Sequence, residues 1–295
     1  MNKFKGFLFG MTASSTFGLL PLFTLPIMSE GLTTNSILCY RMLFASVLVA
    51  VLMQVRKIAF RTNLRELLWF AFLGFFYYGS ASLLFQAYGT MSSGMATTLH
   101  FLYPVGVTLI MALVFKQRPS PFTILAIILG LSGVALLSLK EGGGSSSASL
   151  VGILLVLLSG LSYAAYLVTM NNVRRVRESN NLKLTLYVLI FSALFFLLDT
   201  SLSGGLQMIP SGRALTNLLL LAFLPTLVSN LALVRAVKSI GSTLTSVLGA
   251  MEPLTAIVIG VVVFGEEVTG PMALGILLIL LSVTIIVLSP LLDKN

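Results

Sequence analysis

Between Gly241 and Phe264 the chain reads GSTLTSVLGAMEPLTAIVIGVVVF, an apolar run that as a helix spans about 36 Å, enough to cross a bilayer. Glu252 stands near its middle and Pro253 follows directly. A charge at that depth costs about 3 kcal/mol on insertion scales, and proline removes a backbone hydrogen bond that lipid cannot replace. A second run, Ser93 to Phe115 (SGMATTLHFLYPVGVTLIMALVF), repeats the arrangement 149 positions earlier, with Tyr103-Pro104 in place of Glu252-Pro253 and Phe115 in place of Phe264. His100, the only histidine, lies one turn before its proline. Any fold for this chain must accommodate the same broken helix twice.

The surroundings of these runs fix the class. Hydrophobic residues make up 57% and charged residues 9% of the chain, and the mean hydropathy is +1.03, far from a soluble average of roughly a quarter charged. The chain reads as an all-α integral membrane protein in a lipid bilayer. Its net charge of +9 does not indicate a nucleic-acid partner, because the positive residues fall in short segments between apolar runs, as cytoplasmic loops do. Cys39 is the single cysteine, which excludes an intramolecular disulfide and a cysteine-rich metal site. Lys3, Lys5 and the apolar run after them resemble a signal peptide, but the run is too long and leads into further spans.

Runs of about twenty apolar residues predict ten transmembrane helices, near 5–28, 33–54, 66–88, 93–115, 121–139, 150–171, 183–202, 215–236, 241–264 and 270–290. With the N-terminus inside, fifteen Lys and Arg residues fall on the cytoplasmic side, and Lys140 and Arg213 alone fall outside. That ratio predicts both termini cytoplasmic. The acids Glu30, Glu141, Asp199, Glu266 and Glu267 collect in the outer loops.

The expected organisation is a first five-helix repeat at 1–140, a Gly/Ser linker at 141–149 (EGGGSSSAS), a second five-helix repeat at 150–290 and a short cytoplasmic tail at 291–295. The halves match beyond the broken helix. Gly6–Gly18 aligns with Gly152–Ala164 at an offset of 146, setting Thr16-Phe17 against Ser162-Tyr163. Tyr40 and Phe44 align with Tyr187 and Phe191, and Ala71-Phe72-Leu73 with Ala222-Phe223-Leu224. Five spans per half is an odd number, so the second half is inserted upside down. Inverted repeats are a hallmark of secondary transporters that alternate access around a midplane site.

Polar side chains within hydrocarbon face the bundle interior or a wet cavity. Span three carries Tyr78, Ser82 and Gln86 on one face, and span six Ser159, Tyr163 and Tyr166. Thr226 and Asn230 are a turn apart in span eight, Thr97 and His100 share a face of span four, and Ser242, Thr245 and Glu252 share one in span nine. Together with Tyr103, these faces are expected to enclose a pathway, with Pro104 and Pro253 as hinges. Matching interruptions in the two halves are the best sequence pointer to a transporter's binding site. Glu252 reads either as a proton-coupling carboxylate or as a protonated, hydrogen-bonded structural one. Arg41, inside span two, reads as structural, paired with carbonyls or an acid or reaching outward. Spans five and ten are nearly all apolar and read as peripheral, a candidate homodimer surface.

Two five-helix halves, Tyr103-Pro104 followed by a basic turn (Lys116, Arg118), and Met251-Glu252-Pro253 followed by Phe264-Gly265-Glu266 and a glycine-bearing last helix resemble the EamA family of the drug/metabolite transporter superfamily. The resemblance implies a ten-helix transporter with inverted repeats in the bacterial inner membrane, often exporting amino acids or related small metabolites. Glu252, Pro253 and Glu266 are the positions it carries over. The first half departs from the pattern, with Lys116-Gln117 for the usual glycine-glutamate and Tyr103 for the acid before proline.

Catalysis is not expected. One intramembrane histidine and one glutamate do not make a metal site, no cofactor is implied, and no Gly-x-Ser-x-Gly stretch occurs. An uncoupled facilitator for neutral or cationic metabolites is the alternative to alternating access. The small-molecule substrate is expected to be a zwitterion or amine, since tyrosines, hydroxyls and one acid without an arginine cluster do not suit multiply anionic cargo.

Overall fold

Lipid satisfies no backbone hydrogen bond, so a chain of this composition must satisfy its own, and helices do so within each segment. The computed structural model describes residues 3–87, 90, 96, 99–138, 150–264 and 270–292, and among them there is no strand. In chain order the helices are α1 (Lys3–Phe17), α2 (Leu20–Ser29), α3 (Thr34–Val55), α4 (Leu64–Ala87), α5 (Tyr103–Leu113), α6 (Pro121–Ser138) and α7 (Leu150–Asn172). The remainder are α8 (Arg174–Glu178), α9 (Asn181–Leu202), α10 (Gly212–Ala222), α11 (Ser229–Leu248), α12 (Met251–Phe264) and α13 (Gly270–Leu292). A wide π turn, Phe223–Val228, joins α10 to α11. The 141–149 linker and the first part of the fourth predicted span lie outside the described residues.

Among the described residues, six stretches are long and apolar enough to cross a membrane: Lys3–Ser29, Thr34–Val55, Leu64–Ala87, Leu150–Asn172, Asn181–Leu202 and Gly212–Leu248. Tyr103–Leu113, Pro121–Leu136 and Ala273–Ile286 are shorter apolar helices. Their outward faces carry exposed Leu and Val such as Val47, Val51, Leu109, Leu154, Leu198, Val262 and Leu277, which a lipid solvent tolerates and water does not.

Side-chain caps fix helix starts at both ends of the bundle. Asn180 accepts from the N–H groups of Leu182 and Lys183 to begin α9, and Ser211 accepts from Ala214 to begin α10. The interior differs from the sequence expectation in three spans. The first is broken at Gly18-Leu19 into α1 and α2. The eighth opens into the π turn at Pro225. The ninth does not run unbroken from Gly241 to Phe264: Gly241, at φ 86° and ψ 168°, kinks α11, and Gly249-Ala250 separates α11 from α12.

Helices pair across the halves. α1 packs on α11, as α7 packs on α4; α3 lies against α9, and α6 against α13. These contacts respect a pseudo-twofold relation between the halves. Small residues permit the approach: a β-carbon added at Gly133 of α6 would lie 2.8 Å from the Gly275 carbonyl of α13. Ser282 of α13 donates to the Ala126 carbonyl at 2.6 Å, and Ser229 of α11 donates to the Ala13 carbonyl of α1 at 2.9 Å. The small-residue faces of the fifth and tenth spans are therefore used against each other within one chain.

Candidate functional site

The two sequence interruptions meet at the centre of the bundle. Tyr103-Pro104 opens α5 and Glu252-Pro253 lies in the first turn of α12, so both prolines occupy positions where the missing N–H has no helical acceptor anyway. Each proline thus stands at the start of a helix rather than within one. The Gly249 carbonyl, four residues before Pro253, accepts instead from the Glu252 N–H at 2.9 Å. The Tyr103 hydroxyl crosses from the first half to donate to the Ser246 carbonyl at 3.2 Å. Its phenol rests on Gly249, where any β-carbon would collide with it.

Beside this junction lies a cavity of about 20 Å³. The first half contributes Ser14, Phe17, Tyr77 and Tyr103; the second contributes Tyr163, Ser229, Asn230, Thr245 and Glu252, with Ala13, Leu167 and Leu233 completing the wall. That volume holds about one water, against several hundred Å³ for a typical ligand pocket.

The walls are braced from behind. Asn230 donates to the Thr226 carbonyl at 2.8 Å and to the Tyr77 hydroxyl at 3.2 Å, which leaves its amide oxygen as an acceptor. Tyr163 packs edge-to-face on Tyr103 with centroids 4.8 Å apart, and on Tyr166, which itself meets Tyr77 at 5.3 Å. His100 is held by Ser159, Oγ to Nδ1 3.0 Å; the Ser159 proton goes to the Ser80 carbonyl at 2.5 Å, so the imidazole donates from Nδ1.

Five of the side chains expected to line the pathway come together on this cavity: Tyr103, Tyr163, Asn230, Thr245 and Glu252. His100, Ser159, Tyr166 and Thr226 stand one layer behind it. Tyr78, Ser82 and Gln86 are not brought to it: Tyr78 packs on Phe195 and Phe196, and Gln86 donates to Ser82 at 3.1 Å. Thr97 lies outside the described residues. Ser14, Phe17, Tyr77 and Ser229 line the cavity without having been singled out. The signal for Phe17 was present, since the internal repeat sets it against Tyr163.

Arg41 is 3% exposed. Its Nε donates to Thr226 Oγ1 at 2.6 Å and Nη2 to the Pro225 carbonyl at 3.5 Å, while the guanidinium carbon lies 5.2 Å from the centre of the Phe17 ring. The ion pair found among the described residues joins Arg174 and Glu178 at 2.8 Å. Arg41 and Glu252 are not in direct contact.

A larger cavity of about 430 Å³ opens at the end of the bundle that carries Lys3, Gln117 and Arg118, and reaches Asn171, Ser242 and Leu244. Leu244 walls this cavity and Thr245 the central one, so the turn of α11 following the Gly241 kink separates them. Ser242 Oγ is buried and has no hydrogen-bond partner among the described residues.

Comparison with known proteins agrees with this architecture. The model of the EamA-like transporter family matches residues 4–139 and again residues 150–288. An uncharacterized transporter of Synechocystis sp., sll1319, is 26% identical over 227 residues, covering 75% of this chain and 67% of that protein. A solved crystal structure superposes with a TM-score of 0.81 at 19% identity, over 95% of each chain; at that identity the likeness shows the fold.

Proposed function

Because the chain belongs to the EamA-like transporter family, within the drug/metabolite transporter superfamily, we propose that it is a secondary transporter exporting amino acids or related zwitterions across the bacterial inner membrane by alternating access. The EamA-like transporter family matches both halves of the chain, and membrane transport of small molecules is the ground on which the finer reading stands. The observation that carries the finer reading is the cavity where the interruptions of both halves meet, with Glu252 as the one carboxylate in its wall.

In this reading the chain crosses the membrane ten times as two inverted five-helix repeats, 1–140 and 150–290, with both termini in the cytoplasm. Glu252 meets the substrate's ammonium group, and the Asn230 amide oxygen and the Tyr163 hydroxyl complete the polar contacts. The tyrosine walls give apolar area for a side chain. Proton and ammonium compete for the same carboxylate, which couples export to the proton gradient. Substrate enters from the larger basic-end cavity when the turn after Gly241 moves aside, with Pro104 and Pro253 marking the hinges of the two broken spans.

Ligand binding tests the reading without requiring transport. A ligand present at a hundred times its dissociation constant stabilises the protein by about 2.7 kcal/mol. Purified protein is heated with each member of an amino-acid panel, and the Glu252→Gln variant in parallel. The expected result is a raised unfolding midpoint for a subset of amino acids, lost in the variant. Equal stabilisation of both proteins, or none by any amino acid, contradicts it.

A further inference from the structure

We infer that Arg41 is the anchor for the carboxylate of the transported zwitterion, opposite Glu252, which takes the ammonium group. This rests on the reading of the central cavity as an amino-acid site. A cation within the membrane is costly and is ordinarily paired with an acid or with backbone carbonyls. Arg41 has no acid within ion-pair distance among the described residues; its bonds are to one hydroxyl and, at 3.5 Å, one carbonyl. Those bonds engage Nε and Nη2, two of the five N–H donors of the guanidinium.

A purely structural role accounts for part of this environment. Pro225 has no N–H to give the Leu221 carbonyl; the Thr226 hydroxyl donates there instead at 2.8 Å, and Arg41 braces that hydroxyl. Bracing one hydroxyl requires one donor. A planar fork with donors to spare is the group that binds a carboxylate through two parallel bonds.

Phe17 completes the argument. Its ring lies against the Arg41 guanidinium, 5.2 Å from ring centre to guanidinium carbon, and is also part of the cavity wall. It is the last residue of α1, next to the Gly18-Leu19 break. A cavity of about 20 Å³ must widen to admit any amino acid, and movement at that break carries the ring off the guanidinium and opens it to the substrate. The site then offers a cation and an anion held apart, matching a substrate that carries both charges on one carbon.

The test uses reconstituted full-length protein and the amino acid it transports best. Competition by that amino acid is compared with competition by its decarboxylated amine. Wild type is expected to prefer the amino acid by about tenfold or more, as for a hydrogen-bonded charge. Arg41→Gln is expected to abolish the preference while still binding the amine, and Arg41→Lys to retain part of it. Arg41→Gln keeping the full preference overturns the inference. So does a wild type that binds amine and amino acid alike, a result that holds even if the variants fail to fold. If the wild type transports no amino acid, the functional reading itself falls and the inference falls with it.

Discussion

A methyl group at position 249 has nowhere to go, because the Tyr103 phenol already lies against that backbone. Gly249→Ala is expected to cost about 1–3 kcal/mol through overpacking, read as a lower unfolding midpoint in detergent, with Tyr103→Leu on the same background restoring most of the loss. Thr226→Val is expected to be destabilising by about 1–3 kcal/mol, since it leaves the Leu221 carbonyl and Arg41 Nε without their partner; a midpoint equal to wild type contradicts the bracing role. At this scale the sequence revealed polar types better than directions. Glu252, Asn230 and Thr245 were legible because hydrocarbon forces such side chains inward. Tyr77 and Tyr78 are neighbours about 100° apart on one helix, and composition alone does not say which faces the cavity. Phe17 carries no polar signal of its own, and only its repeat alignment with Tyr163 pointed to it. Arg41 was legible as buried, but its partners lie in the second half of the chain and no local spacing announces them.

The elements that matter most are the ones that depart from a straight helix. The breaks at Gly18-Leu19 and Gly249-Ala250 adjoin Phe17 and Glu252 in the wall of the central cavity, the kink at Gly241 lines the larger one, and the π turn at Pro225 carries the Thr226 that holds Arg41. The repeated X-Pro pair marked the right places in the sequence but not the right geometry. A proline in an apolar run reads as a kink, whereas here each begins a new helix, and deciding between the two requires knowing where the preceding helix stops. This placement has a consequence. Pro104→Ala and Pro253→Ala are expected to shift stability by no more than about 0.5 kcal/mol, the range of substitutions that break no packing or hydrogen bond, yet to slow transport if these turns are the hinges. An unfolding midpoint several degrees lower, with transport unchanged, contradicts the hinge reading.

At the scale of the whole molecule, helices of one half pack on helices of the other, α1 on α11 as α7 on α4. Neither half keeps its core to itself, so the duplication was legible as offsets in sequence while its interleaving was not. Orientation is a separate prediction. Cys39 is the only native cysteine and is buried, so a Cys39→Ser background allows single cysteines to be introduced at Lys57 and at Gly204, which flank opposite ends of α3 and α9. A membrane-impermeant thiol reagent applied to intact cells is expected to label position 204 and spare position 57; the reverse pattern inverts the topology. The central claim is that the cavity at the meeting of the two breaks carries amino acids under the control of Glu252. Its most direct test is uptake of radiolabelled amino acids into proteoliposomes with and without an imposed pH gradient, for wild type and Glu252→Gln. The account predicts gradient-dependent accumulation by wild type that the variant loses while substrate still equilibrates across its membrane. Equal accumulation by both proteins regardless of the gradient would contradict it.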